Sequence, residues 1–263
     1  MPCLVAAVAF VALVFFTVSP SFAQTWFARG QFYEASDELG APGFWGADSG
    51  NMVRDDGSNG DVVAGDGIFS CLVPAAQAPG RYEFKIASLD WSDEAPVGFN
   101  INCVVETFEA DEPILVTFDT NVYSDGWIPT TRAVWSDHLV QPLLGWFVVG
   151  GVPELGSWDP TSGLVAVPSG DLFRAVVWID TVGPTEYKWT ADLSWVWQEV
   201  GGQGFSIRDT SHNVPVDVTT PGYYEFLMDP STGRVIALPL EPTPVETLSW
   251  GRIKSLHRRD RSR

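Results

Sequence analysis

A chain of 263 residues is long enough for two domains of about 100 residues each, and its 45% hydrophobic content is too high for a largely disordered protein. The net charge is −18, but six of the 15 Lys and Arg residues lie between Arg252 and Arg263, which leaves nine against 32 Asp and Glu before Trp250, a balance of −23. A surface of this charge repels nucleic acid and anionic lipid, so we expect neither as a partner.

The first 23 residues have the pattern of a secretory signal peptide. Residues 4–18 are almost wholly apolar, and Ser21-Phe22-Ala23 forms a small-x-small cleavage site before Gln24. The alternative is an uncleaved membrane anchor, and the segment before the apolar run contains no Lys or Arg. We favour cleavage and export, which predict a mature protein that is secreted or displayed at the cell surface.

One pattern occurs twice in the mature chain. Both copies run from a Gly/Pro turn through an aromatic residue, a Glu and a Lys to a Trp, in the segments PGRYEFKIASLDW and GPTEYKWTADLSW. Several further matches keep the same order along the chain, which indicates a duplicated domain. The matched positions are residues 26–30 with 146–150, 43–45 with 156–158, 67–69 with 171–173, 83–85 with 186–188, and Trp91 with Trp195.

The local sequence predicts strands throughout both repeats. Short segments rich in β-branched and aromatic residues are bounded by Gly, Pro, Asp or Ser, and no long stretch shows helical periodicity. Tyr82, Phe84 and Ile86 alternate with Glu83 and Lys85, which places the two sets on opposite faces of one strand. We predict an all-β protein with two tandem immunoglobulin-like β-sandwich domains. Its parts are a signal peptide (1–23), domain 1 (24–128), a connector (129–143), domain 2 (144–241) and a basic C-terminal tail (242–263).

Two cysteines remain in the mature chain, Cys71 and Cys103, both in the first repeat. An even number of cysteines in an exported protein predicts a disulfide between them. The alternative is a pair of buried thiols on separate strands.

An acidic segment, RDDGSNGDVVAGDG at residues 54–67, has two interpretations. Its four carboxylates, with Ser58 and Asn59, could surround a calcium ion, which binds six to eight oxygens. The spacing does not match an EF-hand loop, and four glycines suit the turns of a solvated hairpin. We favour the hairpin and expect no cofactor. The alternative calcium ligands are Asp55, Asp56, Asp61 and Asp66.

The second repeat contains VGGVPELGSWDP at residues 149–160, and this segment resembles the opening of the starch-binding type of carbohydrate-binding module. The phrase from Glu186 to Trp195 is similar to the strand and loop of those modules that carry a sugar-binding Lys and Trp. The first repeat resembles the related β-sandwich domain found beside pullulanase-type enzymes, in the segments YEFKIASLDWSDEAP and VTFDTNVYSDGW.

The resemblance implies a sugar site in each repeat, with a Trp that stacks on the sugar and a Lys that donates to its hydroxyls. The second repeat matches the starch-binding pattern better than the first does. The sequence therefore predicts that Trp195 contributes more to sugar binding than Trp91. The alternatives are a Trp packed in the core and a Lys paired with a neighbouring Glu across the sheet. The implied sugar-binding residues are Lys85 and Trp91 in the first repeat, Lys188 and Trp195 in the second, and Trp158 and Trp197 as secondary candidates.

These residues predict a secreted, non-catalytic protein that binds α-glucan or a similar polysaccharide. No enzyme is expected, because the sequence has no GxSxG, HExxH or phosphate-loop motif and none of its three His has an evident nucleophile partner. The alternative is a structural or adhesion protein of the cell surface with immunoglobulin-like spacer domains. The basic tail would then dock to the cell envelope or to sorting machinery, unless it is only a frayed terminus.

Overall fold

The computed structural model describes residues 24–32, 45–47, 49–73, 78–98, 101–131, 133–196, 198–207 and 212–241. The predicted signal peptide, the basic tail and Trp197 lie outside the described residues. Within the described part of the chain, antiparallel strands make up almost all of the regular structure, and the all-β prediction is confirmed. No helix in these residues is long and apolar enough to cross a membrane.

The described residues of the first half of the chain form eight strands. One sheet has the strand order β2-β1-β4-β5, with β6 also paired to β4, and the facing sheet has the order β3-β7-β8. The strands are β1 (Trp26–Gly30), β2 (Met52–Val53), β3 (Ile68–Val73), β4 (Gly80–Ser88), β5 (Glu94–Ala95), β6 (Cys103–Thr107), β7 (Ile114–Asp119) and β8 (Ala133–Ser136).

Where the structure describes the second half, it has ten strands and two short 3-10 turns, at Pro153–Trp158 and Pro160–Ser162. The strands are β9 (Trp146–Gly150), β10 (Leu164–Val165), β11 (Val167–Ser169), β12 (Leu172–Ile179), β13 (Gly183–Ala191), β14 (Glu199–Gly201), β15 (Gly204–Ser206), β16 (Val214–Val218), β17 (Gly222–Asp229) and β18 (Arg234–Pro239). One sheet has the order β10-β9-β13-β14-β15 with β16 also paired to β13, and the other has the order β11-β12-β17-β18.

The repeated sequence corresponds to a repeated strand register. Gly30 of β1 lies opposite Phe84 of β4, and Gly150 of β9 lies opposite Tyr187 of β13. The strands that follow, β5 and β14, pair with the far ends of β4 and β13 in the same way. Equivalent residues of the two repeats can therefore be assigned one by one from these strand pairs.

Steric constraints explain why the first strand of each repeat ends at a glycine. A Cβ atom at Gly30 would lie 2.7 Å from the carbonyl oxygen of Glu83, and one at Gly150 would lie 2.6 Å from that of Glu186. Backbone atoms cannot yield at such distances, so neither position accepts a larger residue without moving the neighbouring strand. The matched Gly residues of the sequence repeat mark this close approach.

The core lies between the facing sheets of each half. In the first half, Phe84 and Ile86 are fully buried, and Trp26 contacts Phe118 edge to face with 5.1 Å between ring centroids. In the second half, Tyr187 makes the same kind of contact with Phe226 at 4.9 Å. The alternation of β4 thus directs its apolar set inward, as the sequence indicates, but Lys85 on the opposite face is buried as well.

Part of the segment predicted to connect the repeats (129–143) belongs to a sheet of the first half. Residues 133–136 form β8, which pairs with β7 in the sheet of the first half. Just before it, Ile128 forms a bridge with Val235 of the second half, and Asp125 accepts two hydrogen bonds from Arg234 at 3.0 and 2.7 Å. These contacts join the two halves to each other.

Tyr187→Phe is expected to leave the free energy of unfolding unchanged or to raise it by up to about 1 kcal/mol. The Tyr187 hydroxyl is buried without a hydrogen-bond partner among the described residues, and burial raises the pKa of this phenol. The first repeat has Phe84 at the equivalent position, so the pocket shape accepts a ring without the hydroxyl. Urea denaturation measures the change, and a loss above about 1 kcal/mol would contradict it.

Candidate functional site

A cavity of 630 Å³ opens on the first repeat, beside the end of β4. Two of the residues implied by the sequence resemblance, Lys85 and Trp91, line it together. The other residues of its wall are Gln31, Trp45, Glu83, Glu94 and Asn102.

Trp91 is held in an exposed position by the turn that follows β4. Its backbone has φ 63°, in the left-handed region that large residues rarely adopt, and its side chain remains 42% exposed. The Asp90 carboxylate closes the turn by accepting hydrogen bonds from Ser92 and from the Ser88 hydroxyl, and these bonds lower the pKa of Asp90 to about 2. The turn therefore presents the indole to solvent instead of the core.

Trp45 forms the second aromatic wall of the cavity. Its ring centroid lies 6.3 Å from that of Trp91, and the two ring planes are inclined by 48°. Trp45 is not among the sugar-binding residues that the sequence predicts. Trp45 matches Trp158 in the alignment of the two repeats, and Trp158 is one of the predicted sugar-binding residues. That match could have identified Trp45 from the sequence.

Lys85 lies at the cavity but is only 3% exposed. Its ammonium donates hydrogen bonds to Oε2 of Glu94 at 2.7 Å and to the carbonyl oxygen of Gly98 at 2.8 Å. Because an ammonium has three donors, these contacts leave one for the cavity. The pairing with Glu94 matches the alternative in which Lys binds a neighbouring Glu.

The equivalent Lys188 is still more enclosed. It is 2% exposed, and its ammonium lies 3.1 Å from Oε2 of the fully buried Glu199. The ammonium also lies over the Trp195 ring, 4.5 Å from the centroid. In the second repeat, the implied Lys and Trp therefore contact each other in the folded chain.

A carboxylate–amide pair that the sequence does not predict occurs at the same place in both repeats. Asn102 donates from Nδ2 to Oε2 of Glu83 at 2.9 Å, and Asn213 donates to Glu186 at 2.9 Å. Both pairs follow from the shared register, because Asn102 and Asn213 directly precede the residues opposite Phe84 and Tyr187. Each pair fixes the orientation of a Glu at a cavity wall.

The second repeat has a smaller cavity of 410 Å³, which Trp158 and Glu186 line with Thr185 and three Gly or Pro residues. Trp195 does not line this cavity. The structure therefore brings the equivalents Trp45, Lys85 and Trp91 to one cavity in the first repeat but separates Trp158 from Lys188 and Trp195 in the second.

The acidic segment folds into a tight loop before β3. Ligand atoms of Asp55, Asp61 and Asp66 lie within 4.8 Å of one another, whereas Asp56 binds Ser58 outside this group. Asp55 accepts hydrogen bonds from the backbone N–H groups of residues 65, 66 and 67, at 2.6, 3.1 and 3.1 Å. Asp55 thus closes the loop through backbone N–H groups, while its carboxylate stays grouped with those of Asp61 and Asp66.

Millimolar calcium is expected to shift the melting temperature of the mature protein by less than about 2 °C, whereas Asp55→Ala lowers it by several degrees with or without calcium. Both effects are expected because the Asp55 carboxylate already accepts hydrogen bonds from three backbone N–H groups of the loop. Thermal unfolding at fixed pH measures both effects. Asp56→Ala is the matched control, because Asp56 lies outside the carboxylate group. A larger calcium shift that Asp61→Ala abolishes would contradict this prediction.

The predicted disulfide is wrong: Cys71 and Cys103 are both buried thiols. Cys71 is on β3 and Cys103 is on β6, in different sheets, and each Sγ faces a backbone carbonyl. Cys71 lies 3.5 Å from the oxygen of Gly50, and Cys103 lies 3.3 Å from that of Phe205. An even count of cysteines carries no information about which groups the two thiols meet in the fold, and here each Sγ meets a backbone carbonyl oxygen.

A thiol assay on unreduced mature protein is expected to find two thiols after denaturation and almost none in the native state. Burial raises the pKa of Cys103 to about 12, partly opposed by the charge of Lys85, so its reactive thiolate is scarce at neutral pH. If no thiol is found in the denatured protein, the two cysteines form a disulfide after all. Fast labelling of the cysteines in the native protein would contradict their burial.

No protein-family model matches this chain, and no curated protein shows significant sequence similarity to it.

Proposed function

We propose that this protein binds a neutral polysaccharide of the α-glucan type, without hydrolysing it, and that the principal site is the cavity of the first repeat. The observation that carries the proposal is the pair of Trp45 and Trp91 at one cavity, with ring centroids 6.3 Å apart. Indole faces stack on the C–H faces of pyranose rings, and aromatic platforms of this kind contribute about 1–3 kcal/mol per stacked ring.

The inclination of the two rings favours a curved sugar chain. Two planes that meet at 48° cannot both lie flat on a straight, ribbon-like glucan such as cellulose. A chain that turns between successive residues, as α-linked glucans do, can place one sugar face on each indole. This geometry supports α-glucan over the flat polysaccharides.

Polar groups around the indoles can direct the sugar hydroxyls. Glu83 offers carboxylate acceptors held by Asn102, and Lys85 retains one donor beside Glu94. The cavity carries two carboxylates and one ammonium, so acidic polysaccharides are repelled. Because both carboxylates are already engaged by protein groups, we propose binding in place of glycosidic hydrolysis.

The second repeat would supply a weaker contact. Trp158 and Glu186 line its smaller cavity, and two sites on one chain gain avidity on a polymer when both can engage. We further propose export of the mature chain as a pair of immunoglobulin-like domains, with the basic tail as the segment that contacts the cell envelope or sorting machinery.

A structural or adhesion role at the cell surface is the second candidate. The contacts of Arg234 with Asp125 and of Ile128 with Val235 join the two halves, which suits a spacer that keeps its length. In that role the protein would have no affinity for glucan in solution.

Sedimentation of the mature protein (24–263) with insoluble starch tests the proposal. We expect retention on starch, release by soluble malto-oligosaccharides, and little retention on cellulose or on an acidic polysaccharide. Absence of retention on starch would overturn the proposal and leave the spacer role. Equal retention on cellulose would contradict the choice of a curved glucan.

A further inference from the structure

We propose that Arg29 is a positioning residue that holds Trp45 and Trp91 in place for the ligand, an inference that rests on the proposed function. Arg29 is on β1 and is only 4% exposed. Its guanidinium lies over the Trp91 ring, 4.2 Å from the centroid, and donates to the carbonyl oxygen of Trp45 at 3.4 Å. One side chain therefore contacts the indole of Trp91 and the backbone that carries the indole of Trp45.

Arg29 also holds the turn that carries Trp91. Its Nη2 donates to the carbonyl oxygen of Leu89 at 2.6 Å, two residues before Trp91. Since the backbone of Trp91 is in the left-handed region, the turn needs such external contacts to stay in one conformation. The guanidinium supplies a hydrogen bond to the turn and a planar face to its indole at the same time.

The chemistry of this position requires arginine. A planar guanidinium can stack on an aromatic face while its edge donates in two directions, whereas an ammonium acts as a compact point charge. Burial lowers the pKa of Arg29, and the nearby Asp90 carboxylate opposes this shift. Burying a cation is costly, and the contacts with Trp91, Trp45 and Leu89 offset that cost.

A comparison of the two repeats supports the inference independently. Arg29 lies opposite Lys85 in the β1–β4 pair, and Val149 lies opposite Lys188 in the β9–β13 pair, so Val149 stands where the first repeat has Arg29. In the second repeat, Lys188 lies under the Trp195 ring, and Trp195 does not share the cavity of Trp158. The two Trp residues meet at one cavity in the repeat that has the arginine.

The test uses mature Arg29→Met and Arg29→Lys proteins, with Arg81→Met as the matched control. Arg81 is an exposed arginine of β4 that pairs with Glu106 at 2.9 Å and does not line the cavity. The measurements are affinity for a soluble malto-oligosaccharide, the ¹H–¹⁵N signals of the indole N–H groups, and urea unfolding. The indole signals need no ligand, so they test Arg29 even if the protein fails to bind glucan.

We expect Arg29→Met to weaken affinity by about tenfold, because ordering two loosened aromatic side chains on binding carries a free-energy cost. The Trp45 and Trp91 indole signals should shift or broaden, while Arg81→Met changes neither signal nor affinity. Arg29→Lys keeps the buried charge but not the planar fork, so it should also weaken binding and disturb both indoles. If Arg29→Met does not fold, Arg29→Lys is the variant that tests whether Arg29 positions the two indoles.

The inference is overturned if a folded Arg29→Met or Arg29→Lys protein keeps wild-type affinity and wild-type indole signals. A loss of stability alone, with both indole signals unchanged, would also overturn it, since that is the result of a purely structural arginine. If the wild-type protein binds no glucan, the proposed function fails, and the indole signals alone decide whether Arg29 positions the two rings.

Discussion

Lys188→Met is expected to lower the free energy of unfolding by about 3–5 kcal/mol. The substitution removes the ammonium that lies 3.1 Å from Glu199 and leaves a carboxylate in a site where Glu199 has no exposed surface. Removal of the cationic partner of a buried carboxylate is among the most costly single changes in a protein interior. Urea denaturation of the mature protein measures the loss.

The equivalent Lys85→Met is the matched control. Its partner Glu94 has 21% of its side chain exposed, so water can solvate that carboxylate once the ammonium is gone, and the loss should be clearly smaller. The double variant Lys188→Met/Glu199→Leu removes both charges and should recover most of the stability. A loss below about 1 kcal/mol for Lys188→Met, or no recovery in the double variant, would contradict a structural role for this ion pair.

Trp91→Ala and Trp45→Ala are each expected to weaken affinity for a malto-oligosaccharide by about tenfold or more, because each removes a stacking surface worth about 1–3 kcal/mol. Calorimetric titration measures the affinity. Trp178→Ala is the control, since Trp178 is 44% exposed on β12 and does not line the cavity. Unchanged affinity in both cavity variants, or an equal loss in Trp178→Ala, would place the ligand elsewhere.

Trp195→Ala should cost less affinity than Trp91→Ala, which is the reverse of the order that the sequence suggests. The second repeat matches the starch-binding pattern better, but Trp195 does not line the cavity that Trp158 lines. Trp91 shares its cavity with Trp45. A larger loss from Trp195→Ala would show that the motif predicts the site better than the cavity does.

The sequence by itself determined the all-β class, the duplication, and Lys85 and Trp91 as candidates at equivalent places. These features are local, because strand patterns and turn residues depend on neighbours within a few positions of the chain. The matched Glu-aromatic-Lys phrase was enough to align β4 with β13, and the strand register agrees with that alignment.

Tertiary structure decided which partners these residues meet. The pairing of β5 with β4 and of β14 with β13 brings Glu94 and Glu199 to the lysines, and no local pattern could choose these two from the chain's 33 acidic residues. The fold places the Sγ atoms of Cys71 and Cys103 against the backbone carbonyls of Gly50 and Phe205, and neither contact can be read from the spacing of the cysteines. Arg29 and Trp91 are far apart in sequence, and only the register of β1 against β4 and the conformation of one turn bring the guanidinium to the indole. Such contacts depend on long-range packing, which sequence periodicity does not encode.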